Sequence, residues 1–252
     1  MKRLLWIACV GIAGCGGAGG SVDGGSSGPM TDSGRVTPAT DAGPPVSIGT
    51  MHDGQYNLGP VNWSEMPWHN ACSPYPASIQ TLEGELLAGV SNGTGTGNFC
   101  DACVQVTTAM GRALVARVVT YGDAMGPGDM DLSQAAYDML NAGEYPRTMS
   151  WHLVRCPTTD PLYVQWQTGA NPYWSSFWIR NPRVAIDHVA VTSHNHASPI
   201  MLVQGGDGTF TDASGFGDGA FTLTVVGVDG STFSQTFPSF DPGALVMASG
   251  NL

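Results

Sequence analysis

The chain has 252 residues, of which 12% are charged and 42% apolar, with 35 glycines, 17 prolines and a formal net charge of −11. Nine basic residues against 20 acidic ones disfavour nucleic acid and other polyanions as partners, because basic side chains carry that attraction. A neutral partner, held by aromatic rings and hydrogen bonds, fits this composition better.

Met1-Lys2-Arg3 is a short basic start, and Leu4 to Ile12 is an apolar run too short to span a bilayer. Ile12-Ala13-Gly14-Cys15 then sets small residues before a cysteine. The stretch resembles a bacterial lipoprotein signal. That implies a signal peptide over residues 1–14 and lipid on Cys15; the competing reading is an ordinary secretory signal. Either way the chain is expected to be exported, lipid-anchored at the cell envelope or surface, or secreted, with lipid as its sole membrane attachment. Removing residues 1–14 takes away Lys2, the only lysine, and Arg3, which leaves seven basic residues and a net charge near −13. Residues 15–47 are Gly, Ser, Pro, Thr and Asp with almost nothing to bury, a flexible tether spanning on the order of 30 Å. About 200 residues remain, enough for two small domains.

The first domain is expected over residues 48–157. Val104 and Val106 alternate with polar neighbours, residues 113–119 are rich in β-formers, and Trp151 and Leu153 alternate with His152 and Val154. Gly-rich turns separate these runs, so a small β-barrel is predicted. Its centre is Gly128-Asp129-Met130-Asp131-Leu132-Ser133, read as a loop that delivers a carboxylate and then starts a helix. Ser133 is the expected N-cap, with Leu132 and Tyr137 closing a hydrophobic staple and Gly143 as a left-handed C-cap. A second helix is expected around residues 80–87. Beyond Cys9 and Cys15, four cysteines remain, Cys72, Cys100, Cys103 and Cys156. An even count in an exported chain argues for two disulfides over a zinc site, with three pairings open.

The blocks Asn98 to Val106, Ala116 to Thr120, Asp129 to Tyr137 and Ser150 to Cys156 resemble, in order, the first domain of expansins. The resemblance implies a six-stranded double-psi β-barrel, the disulfides Cys72–Cys100 and Cys103–Cys156, and Asp131 as the essential acidic residue. The chain departs from the family's pattern after Thr120, where Tyr121 stands in place of an aspartate and Asp123 follows two places on. Asn57 is the nearest substitute for the threonines expected near the domain start. Tyr121, Asp123 and Asn57 are therefore secondary site candidates.

The second domain is expected over residues 160–252. Strands are predicted over 162–166, 185–192, 200–203, 221–228 and 231–236, with Asp229-Gly230 as a two-residue hairpin turn, giving an antiparallel sandwich. Asn171-Pro172-Tyr173-Trp174-Ser175-Ser176-Phe177-Trp178-Ile179-Arg180-Asn181 resembles the sugar-binding strand of the second expansin domain. That implies an immunoglobulin-like carbohydrate-binding sandwich in which Tyr173 and Trp174 are exposed rings. A strand period of two places Trp174, Ser176, Trp178 and Arg180 on one face. Arg180 marks that face as wet, so Trp178 is expected to extend the row, against the alternative that it is a core residue. The family's third ring has no obvious counterpart: Asp207-Gly208-Thr209-Phe210 stands in that region.

His194-Asn195-His196 offers two imidazoles without a third ligand and reads as a solvated loop. No metal, cofactor, serine elbow or phosphate loop is expected, and the chain reads as a monomer. The resemblance supplies one carboxylate, Asp131, as a candidate acid, with no matched base; Asp123 and Asp129 are candidates for one only by proximity. It thus implies a protein that grips cellulose or another β-glucan and loosens it without hydrolysis. The alternatives are a lytic enzyme cleaving peptidoglycan with a single aspartate, and an inert binding protein.

Overall fold

The computed structural model describes residues 47–63, 70–80, 84–94, 99–122 and 126–252. The expected signal peptide, Cys15, nearly all of the tether, and Asp123 lie outside these residues.

Six strands close into a barrel: β1 (Ser47–Leu58), β2 (Leu87–Ser91), β3 (Cys103–Thr108), β4 (Ala113–Gly122), β5 (Met130–Leu132) and β6 (Thr148–Val154). Their order around the barrel is β1-β5-β2-β4-β3-β6. The β1–β5 and β2–β4 pairs are parallel, and the other four are antiparallel. Closure leaves no free sheet edge. Tyr56, Val90, Val104, Val106, Met130, Leu132 and Trp151 fill the interior, each completely shielded from solvent. The alternation legible in β3 thus marks one face of a closed sheet.

One helix, α1 (Gln134–Leu140), follows β5. The Ser133 hydroxyl oxygen accepts from Ala136 N–H at 3.4 Å and from Leu87 N–H at 3.2 Å, and the hydroxyl donates to the Glu85 carbonyl. The predicted N-cap therefore also ties the helix start to β2. Two details differ from expectation. α1 ends at Leu140 with Asn141 as its extended C-cap, and Gly143, at φ +87°, turns the chain two residues later. The second helix is replaced by a 3-10 turn at Ala77–Ile79, a positive-φ turn at Gly84 and then β2; residues 81–83 lie outside the description.

Eight further strands form two antiparallel sheets: β7 (Tyr163–Trp166), β8 (Ser175–Arg180), β9 (Ile186–Thr192), β10 (Ile200–Leu202), β11 (Phe210–Asp212), β12 (Phe221–Gly227), β13 (Thr232–Phe237) and β14 (Leu245–Met247). The orders are β10-β9-β12-β13 and β11-β8-β7-β14, an immunoglobulin-like sandwich. Trp166 anchors the core between the sheets, its ring 5.1–5.4 Å from Phe177, Phe221 and Phe240. Each such edge or tilted ring pair adds about 0.5–1.5 kcal/mol beyond area burial. The β12–β13 connection is a three-residue loop, Val228-Asp229-Gly230, closed by Gly227 N–H to the Ser231 carbonyl at 2.9 Å. Gly230 at φ +82° supplies the left-handed residue that a three-residue hairpin requires.

The disulfides are Cys72–Cys100 and Cys103–Cys156, the pairing that the resemblance implies. No helix among the described residues is long and apolar enough to cross a membrane.

Barrel and sandwich meet along the outer face of the β11-β8-β7-β14 sheet, where Tyr163 and Leu245 pack on the cluster formed by Val61, Cys72, Tyr75, Ile79, Leu87, Cys100 and Val119. Arg180 lies at the centre of this seam. It is completely buried, not wet as its position on the strand suggests. Its guanidinium donates to Asp101 Oδ2 at 2.7 Å, to Gln165 Oε1 at 2.8 Å, and to the Cys72 and Pro74 carbonyls at 2.9 Å, and it lies 4.1 Å from the Tyr75 ring centroid. Period-two reasoning gives the correct face; the barrel then covers it.

Candidate functional site

Asp131 sits in the middle of β5, a short strand where a loop was expected. Met130 and Leu132 point into the barrel, so the alternation turns Asp131 outward, and it is half-buried. Its register partners are Asn57 on β1 and Gly89 on β2. Asn57 is exposed and shares the outward face, since partners in a parallel pair point the same way.

Two glycines that the sequence reading passed over define the surroundings of the carboxylate. A Cβ on Gly59 would fall 2.5 Å from Asp131 Cβ and 2.9 Å from its Oδ2. A Cβ on Gly89 would fall 2.6 Å from Thr120 Cγ2 and 3.8 Å from Asp131 Cβ. The absence of a Cβ at Gly59 lets the Asp131 side chain lie close against that backbone, and the absence of one at Gly89 makes room for the Thr120 and Val61 side chains beside it. The signal was present in the sequence as Leu58-Gly59 and Ala88-Gly89, each a glycine next to a strand-forming run.

Burial, and next the nearby Asp129 charge, push the Asp131 carboxyl above the ordinary aspartate range. The helix start two residues on favours the anion, and burial and Asp129 act against it. Asp129 is committed elsewhere: its Oδ1 accepts from Gln55 N–H at 2.7 Å and its Oδ2 from Gly126 N–H at 2.9 Å. It lines an open groove of about 590 Å³ with Asp53, Gln55, Thr107, Thr148 and Ser150, a groove whose lining does not include Asp131.

Tyr121 is half-buried at the seam, with its hydroxyl 3.1 Å from where a Cβ on Gly206 would stand. Burial and then the Asp207 charge raise its pKa. It touches the sandwich turn beside Asp207, so the barrel strand that leaves Thr120 reaches the second sheet directly. His152 is buried in β6 and belongs to the barrel structure.

On the sandwich, Tyr173 is 71% exposed, and Trp174 is half-buried beside it. They sit at a two-residue hairpin tip, where Asn171 and Trp174 exchange both backbone hydrogen bonds at 2.9 and 3.1 Å. Asn171 Oδ1 accepts from Tyr173 N–H at 2.9 Å and sets the turn. Trp178 does not extend this row. It is 6% exposed, its Nε1–H donates to the Asp207 carbonyl at 3.0 Å, and Arg180 lies 5.1 Å from its ring centroid. A ring so enclosed offers no face for stacking, because the barrel covers this part of the sheet. Phe210 likewise faces the core and is completely buried. Between the tip and the seam runs a row of hydroxyls, Ser176 to Thr211 at 2.7 Å and Thr211 to Thr209 at 3.2 Å, ending on Asp207 Oδ1 at 2.6 Å from Thr209.

The two histidines near residue 195 do not form a metal pair: His196 Nε2 lies 2.6 Å from Asp212 Oδ2, and no group of three or more metal-ligating side chains occurs among the described residues.

No family model matches the chain. It is 24% identical over 200 residues to expansin-like protein 6 of Dictyostelium discoideum, a match covering 71% of this chain. The chain spans 65% of that relative's length. The crystal structure of apo Clavibacter michiganensis expansin matches with a TM-score of 0.65 at 19% identity, covering 80% of this chain and 98% of that one. A D-to-N mutant of the same expansin, in complex with cellohexaose, matches with a TM-score of 0.64 at 18% identity over the same shares.

Proposed function

We propose that this chain, expansin-like in sequence and in fold, binds a neutral β-glucan of the cellulose type and loosens it without hydrolysis. Residues 48–157 and 160–252 act as two joined modules on one polymer strand. The observation that carries the reading is Tyr173, a large ring 71% exposed at a rigid hairpin tip, with Trp174 next to it. Flat rings stack on the apolar faces of pyranoses without needing charge, which suits a chain so poor in basic residues. The related fold that holds cellohexaose supports the same class of ligand.

On the barrel, Asp131 grips the glucan through hydrogen bonds, with Asn57 beside it. Inverting hydrolysis needs a second carboxylate spaced to admit water, and retaining hydrolysis needs one close enough to act as nucleophile. Asp129, the charge that acts on Asp131, holds two backbone N–H groups and is poorly placed for either task. One acid and an aromatic platform suit displacement of glucan–glucan hydrogen bonds. Two disulfides accord with an exported protein, and anchoring through Cys15 is part of the proposal.

The test is co-sedimentation with insoluble cellulose, xylan and purified sacculi, together with an assay for loosening of cellulose networks. Tyr173→Ala and Trp174→Ala should each abolish most cellulose binding, and Asp131→Asn should abolish loosening with binding largely kept. A second reading, a lytic enzyme on peptidoglycan, is favoured by one observation, the raised pKa of Asp131. Release of anhydro-muropeptides from sacculi, lost in Asp131→Asn, would establish it and overturn the first.

A further inference from the structure

The loop under the Tyr173 tip is built more tightly than a surface hairpin needs. Gly215, at φ +72°, lies directly beneath it, and a Cβ there would fall 2.1 Å from the Pro172 carbonyl oxygen and 2.5 Å from Tyr173 Cα. Gly217 N–H donates to the same Pro172 carbonyl at 2.8 Å, and Phe216 N–H donates to Ser175 Oγ at 3.1 Å. This loop is held in turn by the β9–β10 turn of the opposite sheet. Asn195 N–H donates to the Phe216 carbonyl at 3.1 Å, and Asn195 Nδ2 donates to the Gly215 carbonyl at 2.9 Å. Next to it, His196 Nε2 meets Asp212 Oδ2 at 2.6 Å. The other oxygen of Asp212 accepts from Ser214 N–H at 2.9 Å and from its hydroxyl at 2.7 Å. Asp212 is the register partner of Ser175, the residue after Trp174.

We propose that His196 and Asp212 are positioning residues for sugar binding: their bond crosses between the two sheets and fixes the 212–217 loop, which fixes the ring of Tyr173 against the glycan. The proposal rests on the platform reading given above. Stacking requires the ring plane to be held in one orientation before the sugar arrives, since ordering it on binding costs affinity. A ring on a free hairpin would pay that cost. Here three successive layers hold the backbone that carries it: the 194–196 turn, the 212–217 loop and the 171–174 tip.

The experiment is a double-mutant cycle on the full folded body, with cellohexaose as the probe and calorimetry as the readout. His196→Ala should weaken binding about tenfold, the share one ring's stacking carries, and His196→Gln, which keeps a donor at the same reach, should restore it. In a Tyr173→Ala background, His196→Ala should have no further effect. His188→Ala, which removes the similar but exposed pair with Asp187 on the opposite sheet, should leave affinity unchanged. An equal loss with and without Tyr173, or a lowered melting temperature with unchanged affinity, overturns the proposal while the platform reading stands. Unchanged binding in Tyr173→Ala overturns both. Should His196→Ala not fold, Asp212→Asn, of the same size, is read through the same cycle with the same outcomes.

Discussion

Asp131 is where the fold works against a charge it carries. Its carboxyl titrates above the ordinary aspartate range, because burial, and then Asp129, disfavour the anion. The protonated form is thus favoured in the folded state relative to the unfolded one. The contribution to stability is fully present below the ordinary aspartate pKa, about 3.9, and is lost as pH rises through the folded value. Asp131→Asn, which cannot ionise, should therefore be more stable than the parent at neutral pH, with the difference closing at acid pH; urea unfolding at both pH values checks this. A parent as stable as the variant at neutral pH would mean that the carboxylate is better solvated than its surroundings suggest. Gly59 offers a second test at the same spot. Gly59→Ala drives a methyl to within 2.5 Å of Asp131 Cβ. It should cost about 1–3 kcal/mol, as overpacking does, and should abolish loosening of cellulose while leaving sedimentation through Tyr173 intact.

At the scale of elements, β8 does two jobs. Its start continues from the exposed tip, and its end inserts Arg180 into the seam. Arg180→Ala removes the buried ion pair with Asp101 and frees the Cys72 and Pro74 carbonyls. Breaking a buried pair in this way should cost about 3–5 kcal/mol, measured by denaturant unfolding; Arg180→Met together with Asp101→Asn should cost much less. This seam also marks where the sequence ceases to be legible. β12 was readable because its buried and half-buried residues alternate strictly, and β3 because they alternate from Val104 onward. β1 was not, since only Tyr56 of its 12 residues is buried and nothing apolar repeats. β5 was read as a loop because three residues carry no period. Ser133 was legible as a cap, and the tip rings as rings, because both depend on local chemistry. The burial of Arg180 depends on Asp101, 79 positions earlier in the chain, and period-two reasoning cannot see across that distance. One hint was present: a single arginine between Ile179 and Asn181, in a chain with so few cations, is more economically placed in an ion pair than in water.

For the whole molecule, the charge argument made from composition becomes sharper once the arginines are placed. Between residues 47 and 252 there are six, and each is engaged with the protein itself. Arg117 and Arg180 are buried, Arg117 donating to the Asp101 main-chain carbonyl and Arg180 to the Asp101 carboxylate. Arg155 pairs with Asp229, Arg112 donates to the Asn141 carbonyl after α1, Arg183 donates to the Thr158 carbonyl, and Arg147 lies over the Tyr137 ring. Arg112 and Arg155 remain exposed, but the acidic residues outnumber the basic ones, 20 against nine in the whole chain, and set the sign of the net field that reaches solvent. An anionic glycan such as a pectic acid therefore meets net repulsion at long range. A neutral glucan meets none, and its binding rests on contact terms that salt does not screen. Raising salt from about 0.01 M to about 0.1 M shortens the Debye length from about 30 Å to about 10 Å. Adsorption to an anionic polysaccharide should accordingly start near zero and rise with salt, while adsorption to cellulose should stay level across the same range. Depletion assays on the two polymers in parallel read this directly. Binding to the anionic polymer that is strong at low salt and falls as salt is added would mean that a local cationic patch overrides the net negative charge, and would move the ligand class away from neutral glucans.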